Sequence, residues 1–144
     1  MANSQVYPHC KAEFYYSFRT YIYESKKLSM KAKNVLIFGC SGQIGRSIVR
    51  KLTKDNYTVT AVTRNIHQKG IVLKTLGNAG FINIVEANIF DENKLRELFK
   101  KADICINLVG ILFEQKRGNT FKNIHTVFPS ILAKLCKEYN LKHF

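Results

Sequence analysis

Three glycines spaced three apart, Gly39, Gly42 and Gly45, follow directly on the apolar run Val35-Leu36-Ile37-Phe38. Glycines at that spacing, between a strand and a helix, can bring backbone N–H groups up to an anion. Gly39 lets the strand turn tightly, Gly42 leaves no Cβ in front of a phosphate, and Gly45 lets the helix pack close to the strand. Together with Ser41, Gln43 and Ile44 they form a candidate cradle for the pyrophosphate of a dinucleotide. Arg64 lies nineteen residues after Gly45, at the end of the next β-branched run. Folds that select NAD place an acid there for the ribose hydroxyls. An arginine can instead pair with a 2′-phosphate through charge-assisted hydrogen bonds. The expected cofactor is therefore NADP(H), with NAD(H) possible; the alternative for Arg64 is a solvated strand-end cation.

The elements that must position these residues alternate regularly. Val35–Phe38 reads as a strand and Gln43–Thr53 as a helix with Ile44, Ile48 and Leu52 at four-residue spacing. Tyr57–Thr63 is a second strand, and His67–Leu76 a helix ending at Gly77. Phe81–Val85 is a third strand. Asp91 is the expected N-cap of a helix that buries Leu95, Leu98 and Phe99. Ile104–Val109 is a continuous apolar run, as in a parallel strand covered on both faces. Phe121–Tyr139 reads as a helix with Ile124, Phe128, Ile131 and Leu135 on one face, bent or restarted at Pro129. This order predicts an α/β fold: a Rossmann-type doubly wound parallel sheet with helices on both faces, truncated after about four strands and the following helix.

The formal net charge of +13 over 144 residues favours anionic partners. The lysines are spread along helix faces, however, and no nucleic-acid motif accompanies them, so no specific nucleic-acid binding is expected. No run of about 18 apolar residues suggests a membrane span. None of the four cysteines forms a C-x-x-C pair, and no cluster has zinc spacing, so no metal is expected. Cys105 and Cys136 fall at core positions, whereas Cys40, in the glycine loop, is expected to be partly exposed. His125 reads as a packing or surface residue; His9, His67 and His143 join no ligand set. Lys116-Arg117 reads as an exposed loop.

Residues 1–30 differ from the rest. They carry five tyrosines, no clear hydrophobic period and no signal-peptide core. Arg19, Lys26 and Lys27 hint at a transit peptide, which Glu13 and Glu24 oppose. Met30-Lys31-Ala32-Lys33 before the first strand looks like a natural start. The expected division is an extension over 1–30, disordered or mis-assigned, and a nucleotide-binding domain over 31–144. A transit peptide and an ordered interaction arm are the alternatives for the extension.

The glycine spacing, together with Asn107-Leu108-Val109-Gly110-Ile111-Leu112 and Phe121-x-x-Ile124-His125-x-x-x-Pro129, resembles the short-chain dehydrogenase/reductase superfamily in its extended and atypical branches. Within it the chain is similar to the NAD(P)-binding accessory subunit of respiratory complex I and its bacterial relatives. The resemblance covers about residues 33–144. It implies that Asn88, with Ile89, sits where the family usually has an aspartate near the adenine amine. An asparagine can still accept that hydrogen bond, although a plain turn residue is the alternative. It also implies that Asn107, Val109 and Gly110 lie where the family backbone passes the cofactor's sugar and nicotinamide side; Asn107 could instead simply cap the strand.

The family's catalytic Tyr-x-x-x-Lys pair lies beyond a fifth strand, and the chain ends at Leu141-Lys142-His143-Phe144. Tyr23 and Lys27 have the spacing but precede the nucleotide fold, so no catalytic residue is assigned. The resemblance implies an NADPH-binding domain with little or no turnover, and as its partner a membrane-associated respiratory complex. Its place would be the bacterial cytoplasm, the periphery of the inner membrane, or the matrix side in a mitochondrion. The alternatives are the cofactor half of an epimerase, dehydratase or reductase, and a nucleotide-sensing regulator or non-binding scaffold.

Overall fold

In the computed structural model, residues 33–114, 119–141 and 143–144 are described. The readings made for the extension over 1–30, for Tyr23 and Lys27, and for Lys116-Arg117 lie outside them. Four strands, β1 (Asn34–Phe38), β2 (Thr58–Thr63), β3 (Ile82–Glu86) and β4 (Ile104–Asn107), pair in parallel in the order β3-β2-β1-β4. Consecutive strands run outward from β1 to β3, and the chain then crosses back to place β4 on the other side of β1. That reversal is the switch point of a doubly wound sheet, where the strand ends leave a crevice.

Both faces of the sheet are buried, and side chains alternate between them with the two-residue strand period. Val35, Ile37, Val59 and Ala61 join Val49, Leu73 and Leu76 under helices α1 (Gln43–Lys54) and α2 (Ile66–Lys74). Leu36, Phe38, Val62 and Cys105 join Leu95, Phe99, Phe128 and Leu132 under α3 (Glu92–Phe99) and α4 (Phe128–Glu138). Phe38 meets Phe128 edge to face, with ring centroids 5.4 Å apart.

Several local details depart from the sequence reading. The α1 face centred on the sheet is Gly45, Val49 and Thr53, while Ile44 is 68% exposed and Ile48 and Leu52 are flanking residues. The reason is contact: a Cβ on Gly45 would lie 2.5 Å from the Gly39 carbonyl oxygen, so the helix rests on its glycine. Helix α2 begins one residue early, capped by the Asn65 side chain, which accepts from Gln68 N–H at 3.0 Å. It ends at Lys74 rather than at Leu76, before Gly77. Gly77 is required by packing, because a Cβ there would fall 2.4 Å from the hydroxyl oxygen of buried Thr53.

Asp91 caps α3 as the sequence predicts, accepting from Lys94 N–H at 3.1 Å. Strand β4 stops at Asn107. The helix from Phe121 is continuous but contains a π-helical turn over Asn123–Val127 immediately before α4. A proline cannot donate to the carbonyl four residues back and its ring crowds that carbonyl. The widened turn accommodates Pro129 without breaking the helix. Leu132, rather than half-buried Ile131, continues the buried ridge of Ile124 and Phe128. Beyond α4 the chain returns alongside β4, where His143 forms a parallel bridge with Ile104.

Candidate functional site

The turn after β1 is shaped by two glycines and left open by a third. Gly39 has φ +78°, and a Cβ on it would meet the Leu108 carbonyl at 2.7 Å. Any side chain there would be strained and would press on the segment after β4. Gly45 is pinned against Gly39 and Cys40, as described above. Gly42 differs from both. Its φ of −71° and ψ of 169° suit any residue, and a Cβ would meet nothing closer than the Gly39 oxygen at 3.4 Å. The protein's own sterics therefore do not demand glycine at 42; what the missing side chain preserves is space over the helix end.

That helix end is electrostatically open. Helices α2 and α3 are each capped by their own Asn65 and Asp91 side chains, and Glu86 Oε2 also accepts from Ile66 N–H at 2.8 Å. Helix α1 has no side-chain cap and no acid in its first turn. Its first N–H groups, those of Gln43, Ile44 and Gly45, carry the positive end of the helix dipole. Arg46 folds back through its Nε–H onto the Ser41 carbonyl at 3.0 Å, bracing the loop.

Over this end lies a cleft of about 540 Å3, running along the carboxyl ends of the strands. That size falls within the range of small-molecule sites. Of the residues picked out from the sequence, Gly39, Ser41, Gly42, Arg64, Ile89, Val109 and Gly110 line it together. Gln43 and Ile44 occupy the first turn of α1 outside the lining, and Gly45 lies beneath, against the loop. Asn88 is exposed; its side-chain oxygen accepts from Phe90 N–H at 3.1 Å and closes a turn. Asn107 does the same for β4, accepting from Val109 N–H at 3.1 Å. Neither asparagine lines the cleft.

At the β2 end, Arg64 is exposed and makes no ion pair among the described residues. Gln68 and Lys69, one helical turn on, line the same end of the cleft, as does Asn65. The sequence reading did not single out Gln68 or Lys69. The available signal was the Asn65 cap, which starts α2 directly after Arg64 and so places both residues in the first turns at the cleft. Glu86 was missed as well; strand register sets it beside Thr63, where its carboxylate holds the α2 end.

Cys40, expected to be partly exposed, is fully buried. Its thiol turns under the loop toward β2 and lies 3.3 Å from the Val62 carbonyl oxygen, to which it donates. Burial pushes this thiol up to about 11 from an ordinary value near 9. Such a group is not a nucleophile at neutral pH. Cys105 and Cys136 are also buried free thiols, both raised by burial. Among the described residues no group of three or more His, Cys, Asp or Glu side chains could hold a metal ion. Nor, among those residues, is any helix long and apolar enough to cross a membrane.

A doubly wound parallel sheet, a glycine turn at the end of β1 and an uncapped helix facing a crevice at the switch point define a Rossmann-type domain. The chain belongs to the NmrA-like family, whose sequence model matches residues 31–131. It is 26% identical over 116 residues to the mitochondrial NADH-ubiquinone oxidoreductase 40 kDa subunit of Neurospora crassa, a match covering 81% of this chain and 30% of that protein. It is 28% identical over 103 residues to the mitochondrial NADH dehydrogenase [ubiquinone] 1 alpha subcomplex subunit 9 of Arabidopsis thaliana, covering 72% of this chain and 25% of that one. The chain thus spans less than a third of the length of these curated relatives. Among solved structures, a putative NAD-dependent epimerase/dehydratase from Bacillus halodurans superposes with a TM-score of 0.64 at 20% identity, covering 78% of this chain and 50% of that one. The Bordetella bronchiseptica enzyme WbmH, solved in complex with NAD+, gives 0.62 at 20% identity, covering 76% and 37%. At these identities the structural likeness is one of fold.

Proposed function

We propose that the chain binds NADP(H) in this cleft, with NAD(H) as the weaker ligand and with little or no turnover. The observation that carries this reading is the uncapped N-terminus of α1 behind a glycine whose side-chain position opens onto the cleft. A pyrophosphate fits there because it supplies the acceptors that the N–H groups of Gln43 and Ile44 lack. The adenosine end then lies toward β2, where Arg64 and Lys69 offer a guanidinium fork and an ammonium to a 2′-phosphate. Two tyrosines occur in residues 31–144, and neither lines the cleft. Tyr57 packs on the α1–α2 side of the sheet, and Tyr139 packs on Phe99 at 6.4 Å. This placement supports binding rather than acid–base catalysis from these positions.

A preference for NADH is the competing reading, and Glu86 is the observation in its favour, being a carboxylate near the end of β2. Calorimetric titration of both cofactors against the parent chain and Arg64→Ala separates the two. The NADPH reading requires a preference for NADPH of about ten- to a hundredfold, from charge-assisted bonds of roughly 1.5–3 kcal/mol. It also requires Arg64→Ala to remove most of that preference while sparing NADH. Equal affinities in the parent would defeat it.

The named relatives are respiratory-chain subunits, which supports a role as the nucleotide-binding part of a protein of complex-I-accessory type. Such a protein would sit at the inner membrane periphery, on the matrix side in a mitochondrion or the cytoplasmic side in a bacterium. Comigration of the native protein with NADH dehydrogenase activity on a native gel tests this placement; migration wholly apart from that activity would refute it.

A further inference from the structure

The π-helical turn puts one side chain, His125, against the wall of the cleft at the end far from Arg64. Its Nε2 accepts from Ile111 N–H at 3.3 Å and lies 3.2 Å from the Ile111 carbonyl oxygen. Its ring stacks on Phe121, with centroids 6.0 Å apart and planes 26° from parallel. Its Cε1 would be 3.4 Å from a Cβ placed on Gly110. The ring therefore bonds to Ile111 and stands over the side-chain position that Gly110 leaves empty, and both residues line the cleft, as does Ile124 beside it on the turn.

The Ile111 side chain packs against the core, and the His125 ring is what meets its backbone N–H. Strand β4 has ended at Asn107, so Gly110 and Ile111 have no sheet partner, and Leu112 and Phe113 beyond them are exposed. A loop without ladder bonds takes its position from other contacts, and here the imidazole supplies a partner for the Ile111 backbone while the Ile111 side chain packs on the core.

We infer that His125 is a positioning residue that fixes the Gly110–Ile111 wall against the ribose–nicotinamide half of a bound dinucleotide. The inference rests on the dinucleotide reading above, and concerns only the half of the ligand that lies beyond the pyrophosphate. His125 does not touch the ligand; it sets the backbone that does. Its loss should therefore weaken ligands that reach Gly110 and spare those that stop at the adenosine end.

Two variants separate acceptor from bulk. His125→Leu keeps an apolar side chain against Phe121 and removes the acceptor. His125→Gln places an amide oxygen at about the reach of Nε2. Titrate each, with the parent, using NADPH and using adenosine 2′,5′-bisphosphate, which carries the 2′-phosphate but has no nicotinamide half. The expected result for His125→Leu is an NADPH affinity lowered about fivefold, the magnitude of one lost hydrogen bond, with the bisphosphate unchanged and His125→Gln restoring most of the loss. In the ligand-free chain, hydrogen exchange at the Ile111 amide should speed up about tenfold in His125→Leu and stay near the parent rate in His125→Gln.

An unchanged NADPH affinity in His125→Leu would overturn the inference, as would an equal loss for both ligands or an Ile111 amide that exchanges alike in all three proteins. A parent that binds neither ligand would overturn the dinucleotide reading itself, and with it the ligand half of the inference. That outcome is distinct from a parent that binds both and variants that do not differ.

Discussion

The glycine loop makes a prediction that sets two glycines three residues apart against each other. Gly42 stands at the N-cap of α1 in a conformation open to any residue, with no contact closer than 3.4 Å awaiting a Cβ. Gly42→Ser should therefore fold well. The serine hydroxyl can cap the N–H groups that α1 leaves uncapped, which gains a few tenths of a kcal/mol over glycine. Restricting the unfolded chain adds about 0.4–1 kcal/mol. Together these should raise the melting temperature by about 3–6 °C. The same oxygen occupies the place proposed for a phosphate, so NADPH affinity should fall about tenfold or more, the worth of one charge-assisted bond.

Gly45→Ala should do the reverse to the fold. Its Cβ would stand 2.5 Å from the Gly39 oxygen and 2.7 and 2.8 Å from Cys40 backbone atoms, none of which can rotate away. Helix α1 must lift off the loop, at a cost of about 1–3 kcal/mol and a melting temperature lower by about 4–12 °C. Thermal melts of the two variants beside the parent, with an NADPH titration of Gly42→Ser, decide the matter. A Gly45→Ala protein as stable as the parent would refute the close-approach reasoning. A Gly42→Ser protein that melts higher and still binds NADPH fully would refute the phosphate reading of the open helix end.

Other outcomes follow from the core. Phe128→Ala removes a fully buried ring packed edge to face on Phe38 and should cost about 3–5 kcal/mol, read as a loss of denaturant midpoint with little change in its slope. The Cys40 thiol, raised to about 11 when folded, is stabilising below pH 9, where both states are protonated. As pH rises from 9 toward 11 the unfolded chain ionises first, so this contribution is lost. Cys40→Ala should accordingly flatten the fall in stability over that window, measured by denaturant titration at pH 8 and pH 10.5; identical slopes in parent and variant would contradict it.

What the sequence made legible was whatever depends on neighbours along the chain. The glycine spacing announced the β1–α1 turn, and Asp91 announced α3. The repeated β–α order and the continuous apolar run of Ile104–Val109 announced a parallel sheet with helices on both sides. What escaped depends on contacts made across the sheet. Cys40 is buried because its side chain joins the apolar cluster beneath the loop, where the Val62 carbonyl of the next strand accepts from its thiol. Glu86 reaches the α2 end only through its register with Thr63. Gly77 looks like a helix terminator in the sequence and is in fact clearance for Thr53, more than twenty residues earlier. Gln68 and Lys69 line the cleft because α2 starts directly after β2, a closeness that the spacing alone did not announce. His125 read as a packing or surface residue, and it is exposed; which backbone its ring meets, that of Ile111, depends on the π-helical turn and was not legible.

The central claim is that the N-terminus of α1 receives the pyrophosphate of a dinucleotide lying across the switch point. The most direct measurement is an amide chemical-shift titration of the 15N-labelled chain with NADPH. The largest shifts should fall on Ser41, Gly42, Gln43 and Ile44, with a second set at Arg64 through Lys69 and a third at Gly110 and Ile111, all saturating at one ligand concentration. Saturable binding that leaves residues 41–44 unmoved, or no saturable shift at all, would contradict it.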